Sequence, residues 1–409
     1  MPRAGWVKPE SDERLSDHIA LGVLTRTFTP DIVDEVLVER GRVERRNRLL
    51  PARVVVYYVL ALALFASCSY EEVMRKLVSG LEWASGRSHQ WTIPTKAAIF
   101  QARKRLGSEP LRELYEKVAV PLSDAGVPGS CYRSWRLMSI HGSTVDVPAS
   151  DANIERFGLP SPRGGRGGVF TQVRLLGLVE CGSRAIVDAA LGTYEHREQA
   201  MAESIVRSLR PGMLLLADRA FFSYRLWDLC RSSGADLLWR TQYNSALPVE
   251  KRYADGSFAS HVYPGTRARH NDTAGIAVRV VEFVRTASGA DTDHGEGRIH
   301  RLLTTITDSE AAPANELARV YSQRWEIETA FDVLEPHQRG RGVVLRSKTP
   351  DGVIQEVYGH LCVHYAIRSL MHSVATDSGH DPDWLSFGRP LRVAPRTTAN
   401  HPGPSANPG

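Results

Sequence analysis

Disulfide chemistry is the first thing this sequence withholds. Its five cysteines, Cys68, Cys131, Cys181, Cys230 and Cys362, are odd in number, scattered and never paired as CxxC. That argues against a disulfide framework or a zinc ribbon and predicts a reducing, cytoplasmic setting. The N-terminus, MPRAGWVKPESDERL, lacks the apolar stretch of a secretory signal. Long apolar runs are scarce too. The one uninterrupted run, Val54 to Ala66, abuts Arg53 and falls short of the roughly 20 residues that span a bilayer. It predicts a buried helix. The fourteen histidines contain no His-Glu-x-x-His motif, which argues against a zinc enzyme. His360 and His364 lie one helical turn apart, but Cys362 and Val363 between them predict packing on a core helix. There is no internal repeat.

What the chain does have is length and a mild positive balance. Its 409 residues have room for one large or two to three ordinary domains. A net charge of +5 and a pI near 8.9 permit an anionic partner such as nucleic acid, although many enzymes share that balance.

From about Leu15 to Ala125 the pattern is helical. Thr29-Pro30-Asp31 has the capping residue and first-turn proline of a helix start, and Pro51 opens the apolar helix. Thr95 caps a helix predicted over Lys96–Leu106, ending at Gly107. Lys96, Arg103, Lys104 and Arg105 give that helix a basic side. Composition alone favours solvated charges there. The sharper reading is a DNA-end-binding module in which Arg103, Lys104 and Arg105 meet phosphates.

From Arg136 onward, short β-rich runs replace the helices. Strands are predicted at Arg136–Val147, Phe170–Glu180 and Arg184–Tyr194, with a Gly-rich loop, Pro160 to Gly168, between the first two. A helix, Glu198–Arg210, leads to Met213–Ala217, a nearly pure apolar run closed by Asp218-Arg219. That is how a strand buried on both faces looks, with polar chemistry at its C-terminal end. A helix (Tyr224–Ser232) and a strand (Asp236–Gln242) follow, then a β-like stretch from 243 to 307. A long helix is predicted from Pro313 to Glu335 and another from Val353 to Ala375; the Pro/Gly/Asn/Ser-rich tail predicts disorder.

The strongest local constellation is Tyr321-Ser-Gln-Arg324-Trp-Glu-Ile-Glu328. Tyr321, Arg324 and Glu328 stand at i, i+3 and i+7, on one helical face. Leu317, Val320, Ile327, Phe331 and Leu334 form an apolar stripe that can anchor the helix on a sheet. A carboxylate able to hold a divalent metal, beside a guanidinium and a phenol able to grip a phosphate, suits a phosphodiester site. The plainer reading of the spacing is a surface Arg-Glu pair.

Tyr321, Arg324 and Glu328 match the first three positions of Tyr-x2-Arg-x3-Glu-x6-Lys, the signature of insertion sequence 4 transposases. The stretches RWEIETAFDVL, LLLADRAFFSYRLW and VVLRSKTPDGVIQEVYGHLCVHYAIRSLM also resemble that family, from about Ile19 to Arg392. The resemblance implies an α/β fold: a ribonuclease-H-like core with a β-rich insertion, preceded by an all-helical N-terminal domain. The expected division is a tail at 1–14, a helical DNA-end-binding domain at 15–130, a DDE catalytic domain at 131–394 with the insertion at about 243–307, and a tail at 395–409.

The family implies three carboxylates binding two Mg2+ ions, with Mn2+ as a possible substitute. Here Asp218 would be the second carboxylate and Glu328 the third. Two hard cations suit this chemistry because they stabilise both the attacking and the leaving oxygen of a phosphodiester. The implied partners are double-stranded DNA, as terminal inverted repeats and target, and a second copy in a dimeric synaptic complex. The implied setting is the bacterial cytoplasm, at the nucleoid. The insertion is where the family handles a hairpin, and a flipped base stacked on an aromatic residue would fit there. Trp239 is a candidate stacker, although a core tryptophan is the better reading.

The sequence departs from the pattern at three places. The first catalytic Asp position is His141, in Ser139-Ile-His-Gly-Ser-Thr-Val-Asp146. A neutral nitrogen ligand suits Zn, Mn or Fe better than Mg. Asp146 lies an odd number of residues away and so points to the opposite face of a regular strand; Asp151 and Asp188 are further candidates without positive support. The final Lys position is Glu335, followed by Pro336, and the C-terminal end is rich in Gly and Pro. Three readings follow: a transposase impaired at its metal site; an active enzyme using His141, Asp218 and Glu328 on Mn2+; or an inactive DNA-binding remnant that inhibits transposition. A different ribonuclease-H-like nuclease is disfavoured by the long β insertion.

Overall fold

The computed structural model describes residues 15–44, 46, 48–85, 93–160, 170–242, 245–284, 299–323 and 344–378. Six helices come first: α1 (Leu15–Thr27), α2 (Pro30–Glu39), α3 (Ala52–Leu64), α4 (Tyr70–Ser85), α5 (Lys96–Leu106) and α6 (Glu109–Val118). Local chemistry sets their ends. Thr29 accepts a hydrogen bond from the Ile32 amide with Pro30 in the first turn, and Thr95 accepts one from the Ala98 amide. Gly107 closes α5 at φ 73°, where a side chain would be strained. The apolar run forms α3, buried from Val55 through Ala63. A helix that is apolar all round belongs inside a protein, and α3 does so without being long enough to span a membrane. Among the described residues no helix is long and apolar enough to cross a bilayer.

A ten-stranded sheet follows. Its strands are β1 (Cys131–Tyr132), β2 (Trp135–Val147), β3 (Thr171–Glu180), β4 (Ile186–Thr193), β5 (Met213–Ala217), β6 (Asp236–Thr241), β7 (Lys251–Arg252), β8 (Phe258–Val262), β9 (Ile276–Val284) and β10 (Ile299–Thr304). The order across the sheet is β4-β3-β2-β5-β6-β10-β9-β8-β7, with β1 paired to β2. β2, β5 and β6 run parallel in the middle, and the other pairings are antiparallel. Strands β7 to β10 therefore widen the central sheet rather than forming a layer of their own. Interleaved with the strands are α7 (Asp151–Phe157), α8 (Glu198–Ile205), α9 (Tyr224–Ser232), α10 (Thr266–His270) and α11 (Ala314–Gln323). The chain ends its described course in α12 (Pro350–Ser378), which at about 1.5 Å per residue is one of its longest elements.

The parallel trio is sandwiched. On β5, Met213, Leu215 and Ala217 join a large apolar cluster, while Leu214 and Leu216 join a smaller one. The large cluster runs without a break from Leu21 in α1 through α3 and the sheet to Met371 in α12. The smaller one holds Leu317, Val320 and Tyr321 of α11 against Leu137, Leu214, Leu238 and Leu302. Met213–Ala217 is thus buried on both faces, as its composition predicts. Gly359 lets α12 lie close on α3: a Cβ there would sit 3.2 Å from the Val59 carbonyl oxygen. His360 and His364 are core residues of α12. Burial and the Arg368 charge push His364 down to about 3, so its imidazole is neutral at physiological pH.

Several elements differ from expectation. The helix after β4 ends at Ile205 and passes into a tight turn at Val206–Ser208. The last helix begins three residues earlier and ends three later than the periodic stretch Val353–Ala375. Trp239 is not available to a flipped base, since it is fully buried edge-on against Trp227 at 5.2 Å between ring centroids. The Gly-rich segment 161–168 and both tails lie outside the described residues.

Arg103 also departs from its predicted place on a basic surface. Its side chain is buried between α5 and the start of α12. It donates to Gln355 Oε1 at 3.0 Å, Ser347 Oγ at 3.0 Å and the Gly352 carbonyl at 3.1 Å, and faces Glu356 at 3.5 Å. It falls inward because Ile99, Ala102 and Leu106 mark the buried face of α5, and position 103 lies beside them. Lys104 and Arg105 are exposed, as expected. Removing one partner of a buried, hydrogen-bonded ion pair leaves the other charge uncompensated. Arg103→Ala is accordingly expected to destabilise the fold by about 3 kcal/mol, read as a lower denaturation midpoint in urea. An unchanged midpoint would place Arg103 in solvent.

Candidate active site

The pairing of the three parallel strands fixes the geometry here. In β2 and β5 the partners run from Arg136 with Met213 to Ser139 with Leu216. Carrying that register two residues further brings His141 alongside Asp218, the residue that follows β5. Between β5 and β6 the partners run from Leu214 with Asp236 to Ala217 with Trp239, which brings Asp218 alongside Arg240. The contact between Arg240 Nη1 and Asp218 Oδ1, at 3.8 Å, agrees. Asp218 and Arg240 therefore meet, and the register carried past the last pair of β2 and β5 sets His141 level with them, on strands whose ordinary spacing is about 5 Å. Alternation sets the side: they share parity with Leu137, Leu214, Leu216 and Leu238 and so face α11. This row stands where the parallel pairing ends, the place where an α/β sheet binds its ligands.

Asp218 is about one-third exposed, and its Oδ1 accepts a hydrogen bond from the Arg219 amide at 2.6 Å. His141 is half-buried, in the middle of a strand whose pairing with β3 runs unbroken from Met138 to Val147. With no bulge in that stretch, Asp146 keeps the opposite parity and cannot swing round to the row. Its carboxylate accepts instead from Gln172 Nε2 at 2.9 Å. Glu198 also approaches β2 from the other face, since a Cβ on Gly142 would lie 2.6 Å from its Oε1. Asp188 is buried and held by Arg207 and by Ser208 Oγ at 2.6 Å, which makes it a structural carboxylate. Asp151 stands exposed at the first position of α7. Among the described residues no cluster of three His, Cys, Asp or Glu side chains could hold a metal ion. Arg324, Glu328 and Glu335 lie outside the described residues.

Tyr321 is described, and it is not an exposed phosphate grip. It sits one turn after Leu317 and next to Val320, so it belongs to the buried stripe of α11 and is only 4% exposed. Its hydroxyl donates to the Ala217 carbonyl oxygen at 3.4 Å, one residue before Asp218. It thereby ties α11 to the end of β5. Arg240 is the site residue that the sequence reading missed. The signal was present: an arginine directly after the apolar run Leu237–Trp239 of DLLWRT, of the parity that faces away from Trp239.

Tyr321→Phe removes one hydrogen bond at the end of β5 and no exposed group. The expected result is a loss of about 1 kcal/mol in stability with duplex affinity unchanged, measured by urea titration and by fluorescence anisotropy. Weakened duplex binding with unchanged stability would restore the phosphate-gripping role.

Comparison with known proteins follows the same outline. A sequence model described as the insertion element 4 transposase N-terminal region matches residues 18–116, and one described as the transposase DDE domain matches residues 156–365. The chain is 27% identical over 387 residues to transposase InsG of insertion sequence element IS4 from Escherichia coli (strain K12), covering 93% of this chain and 83% of that one. Among solved structures, a piggyBac transposase synaptic complex with hairpin DNA aligns over 92% of this chain and 79% of its own at 12% identity, with a TM-score of 0.44. Its likeness is too loose to bear on the site. The DDE domain implies a ribonuclease-H-like core, DNA as partner and a divalent metal as cofactor. With its DDE domain matched over half its length and the family's N-terminal region before it, the chain belongs to the insertion element 4 transposases.

Proposed function

We propose that this transposase binds the terminal inverted repeats of an insertion sequence and that His141 impairs its Mg2+-dependent cleavage and strand transfer. The observation that carries the reading is the row itself. His141 occupies the strand position from which a carboxylate would face Asp218 across about 5 Å, and no other carboxylate of β2 has the parity to replace it. The proposed metal ligands are Asp218, Glu328 and His141. That set fits a divalent cation with mixed nitrogen and oxygen donors, which suits Mn2+ better than a pair of Mg2+ ions. Metal bound there supplies charge stabilisation for the attacking and leaving oxygens of a phosphodiester. Arg240 contributes a fixed positive charge beside Asp218 and within reach of a phosphate held on the row. Tyr321 keeps the end of β5 in register beneath it.

In this reading residues 15–130 form the DNA-end-binding part, presenting Lys104 and Arg105, and residues 131–394 the catalytic part. Arg324 contacts the flanking phosphate, two copies meet in the synaptic complex, and strands β7 to β10 belong to the insertion that handles the released strand. A second reading keeps the fold and the DNA affinity but no catalysis, so that the protein occupies transposon ends and inhibits active copies. The missing first carboxylate supports it equally, and cleavage separates the two.

The test is cleavage of a labelled duplex carrying the element's own end, in Mg2+ and separately in Mn2+. His141→Asp is expected to raise the Mg2+ rate by on the order of 100-fold, the scale of restoring one preorganised electrostatic group. Glu328→Ala or Asp218→Asn in that background should abolish it. Wild type cutting as fast in Mg2+ as His141→Asp would sink the assignment. Activity of the wild type in Mn2+ alone supports the impaired enzyme, and none in either metal supports the inhibitor.

A further inference from the structure

We infer that the basic groove between α5, α7 and the start of α12 is a second DNA-backbone site, which takes phosphates of the same duplex about five nucleotides from the His141–Asp218 row. The inference rests on the transposase reading and adds to it a location away from the reacting centre.

The groove has a volume of about 730 Å³. Lys96, Lys104, Arg156 and Lys348 line it as exposed cations, with Arg346 at its base; Lys96 faces Glu71 at 3.8 Å, and Asp351 is the one acidic side chain among the described lining residues. Arg346 donates to the carbonyl oxygens of Ala66 and Cys68, each at 2.6 Å. Carbonyls hold a guanidinium in place without cancelling its charge. Phe100 stands 49% exposed on the same wall. An exposed aromatic ring among cations suits a nucleic acid, whose sugars and bases offer faces beside the phosphates. A single small anion would leave most of this charge unmet, whereas a phosphodiester run meets it at regular intervals.

The walls are rigid. Arg103 bonds α5 to Gln355, Ser347 and the Gly352 carbonyl. Ser150, which caps α7, donates to the Lys348 carbonyl oxygen at 2.8 Å. A frame tied in this way confines the ordering cost of binding a regular polyanion to the cationic side chains themselves.

Position supplies the second argument. The Leu345 amide donates to the Asp146 carbonyl oxygen at 3.1 Å, so the segment that carries Arg346 and Lys348 is tied to the far end of β2. His141 lies five residues back from Asp146 on that strand, a distance of about 17 Å at the rise of an extended chain. A duplex advances about 3.4 Å per nucleotide along each strand. A duplex of that pitch can reach both places, the row with its reacting phosphate and the groove with the backbone about five nucleotides away.

The experiment is equilibrium binding of a fluorescein-labelled 40-base-pair duplex to the full chain in EDTA, between 50 and 200 mM KCl. Lys104→Glu with Lys348→Glu changes two exposed side chains and should lower the slope of log affinity against log salt by about 2, near 0.9 for each phosphate no longer neutralised. The milder pair Lys104→Gln with Lys348→Gln should give the same slope change with a smaller loss of affinity, which guards against misfolding of the reversed variant. Arg225→Glu with Arg231→Glu, an equal charge change on α9, should leave the slope close to wild type. A slope unchanged in the groove variants, or changed equally by the α9 pair, overturns the groove and leaves the transposase reading intact. Polyglutamate competing as well as unlabelled duplex, charge for charge, would also overturn it, because the patch would then lack a phosphodiester preference. Wild type that binds no duplex at all would overturn both.

Discussion

The parallel pairing of β2, β5 and β6 is the constraint on which the rest of this structure depends. Parallel strands must be buried on both faces, and here the large apolar cluster covers one face and α11 the other. Their register brings three polar side chains, His141, Asp218 and Arg240, level with one another where the parallel pairing ends. A slip of one residue in either pairing would turn one of them into the opposite core. The buried apolar neighbours on each strand therefore hold the site in place.

The same constraint explains why the change at residue 141 is hard to compensate. β2 carries Asp146 as well as His141, but unbroken pairing with β3 keeps the two on opposite faces. Glu198 comes close to β2 from the wrong side and is engaged near Arg174, 3.6 Å away. Asp188 is spent on Arg207 and Ser208. Carboxylates are plentiful in this part of the chain, and the sheet rather than the composition decides which of them can share a metal.

A buried polar network joins the helical N-terminal part to the sheet. Arg103 reaches Ser347, Gly352, Gln355 and Glu356, while Tyr115 donates to the Ile186 carbonyl oxygen at 2.7 Å. These bonds sit within an apolar cluster shared by α1 to α6, the sheet and α12. The consequence for function is mechanical. A phosphate run held in the groove at α5 would be fixed relative to β2, because the groove and the strand share one packed body.

Much of this was legible in the residues. The caps at Thr29 and Thr95, the stop at Gly107, the strand Met213–Ala217 and the helix Tyr224–Ser232 were set by local chemistry and short-range periodicity, so the sequence determined them by itself. Asp218 stood out by closing an apolar strand, and His141 by its match to the family's first catalytic Asp position. Tertiary structure decided what periodicity cannot carry. Which residues stand level across strands depends on pairings 77 residues apart in sequence, as between Arg136 and Met213. Whether a side chain on an amphipathic helix meets solvent depends on what packs against its edge, and this sent Arg103 and Tyr321 inward while leaving Lys104 exposed. Local chemistry acts over a few residues along the chain, whereas register and burial are settled by the partner that long-range packing provides.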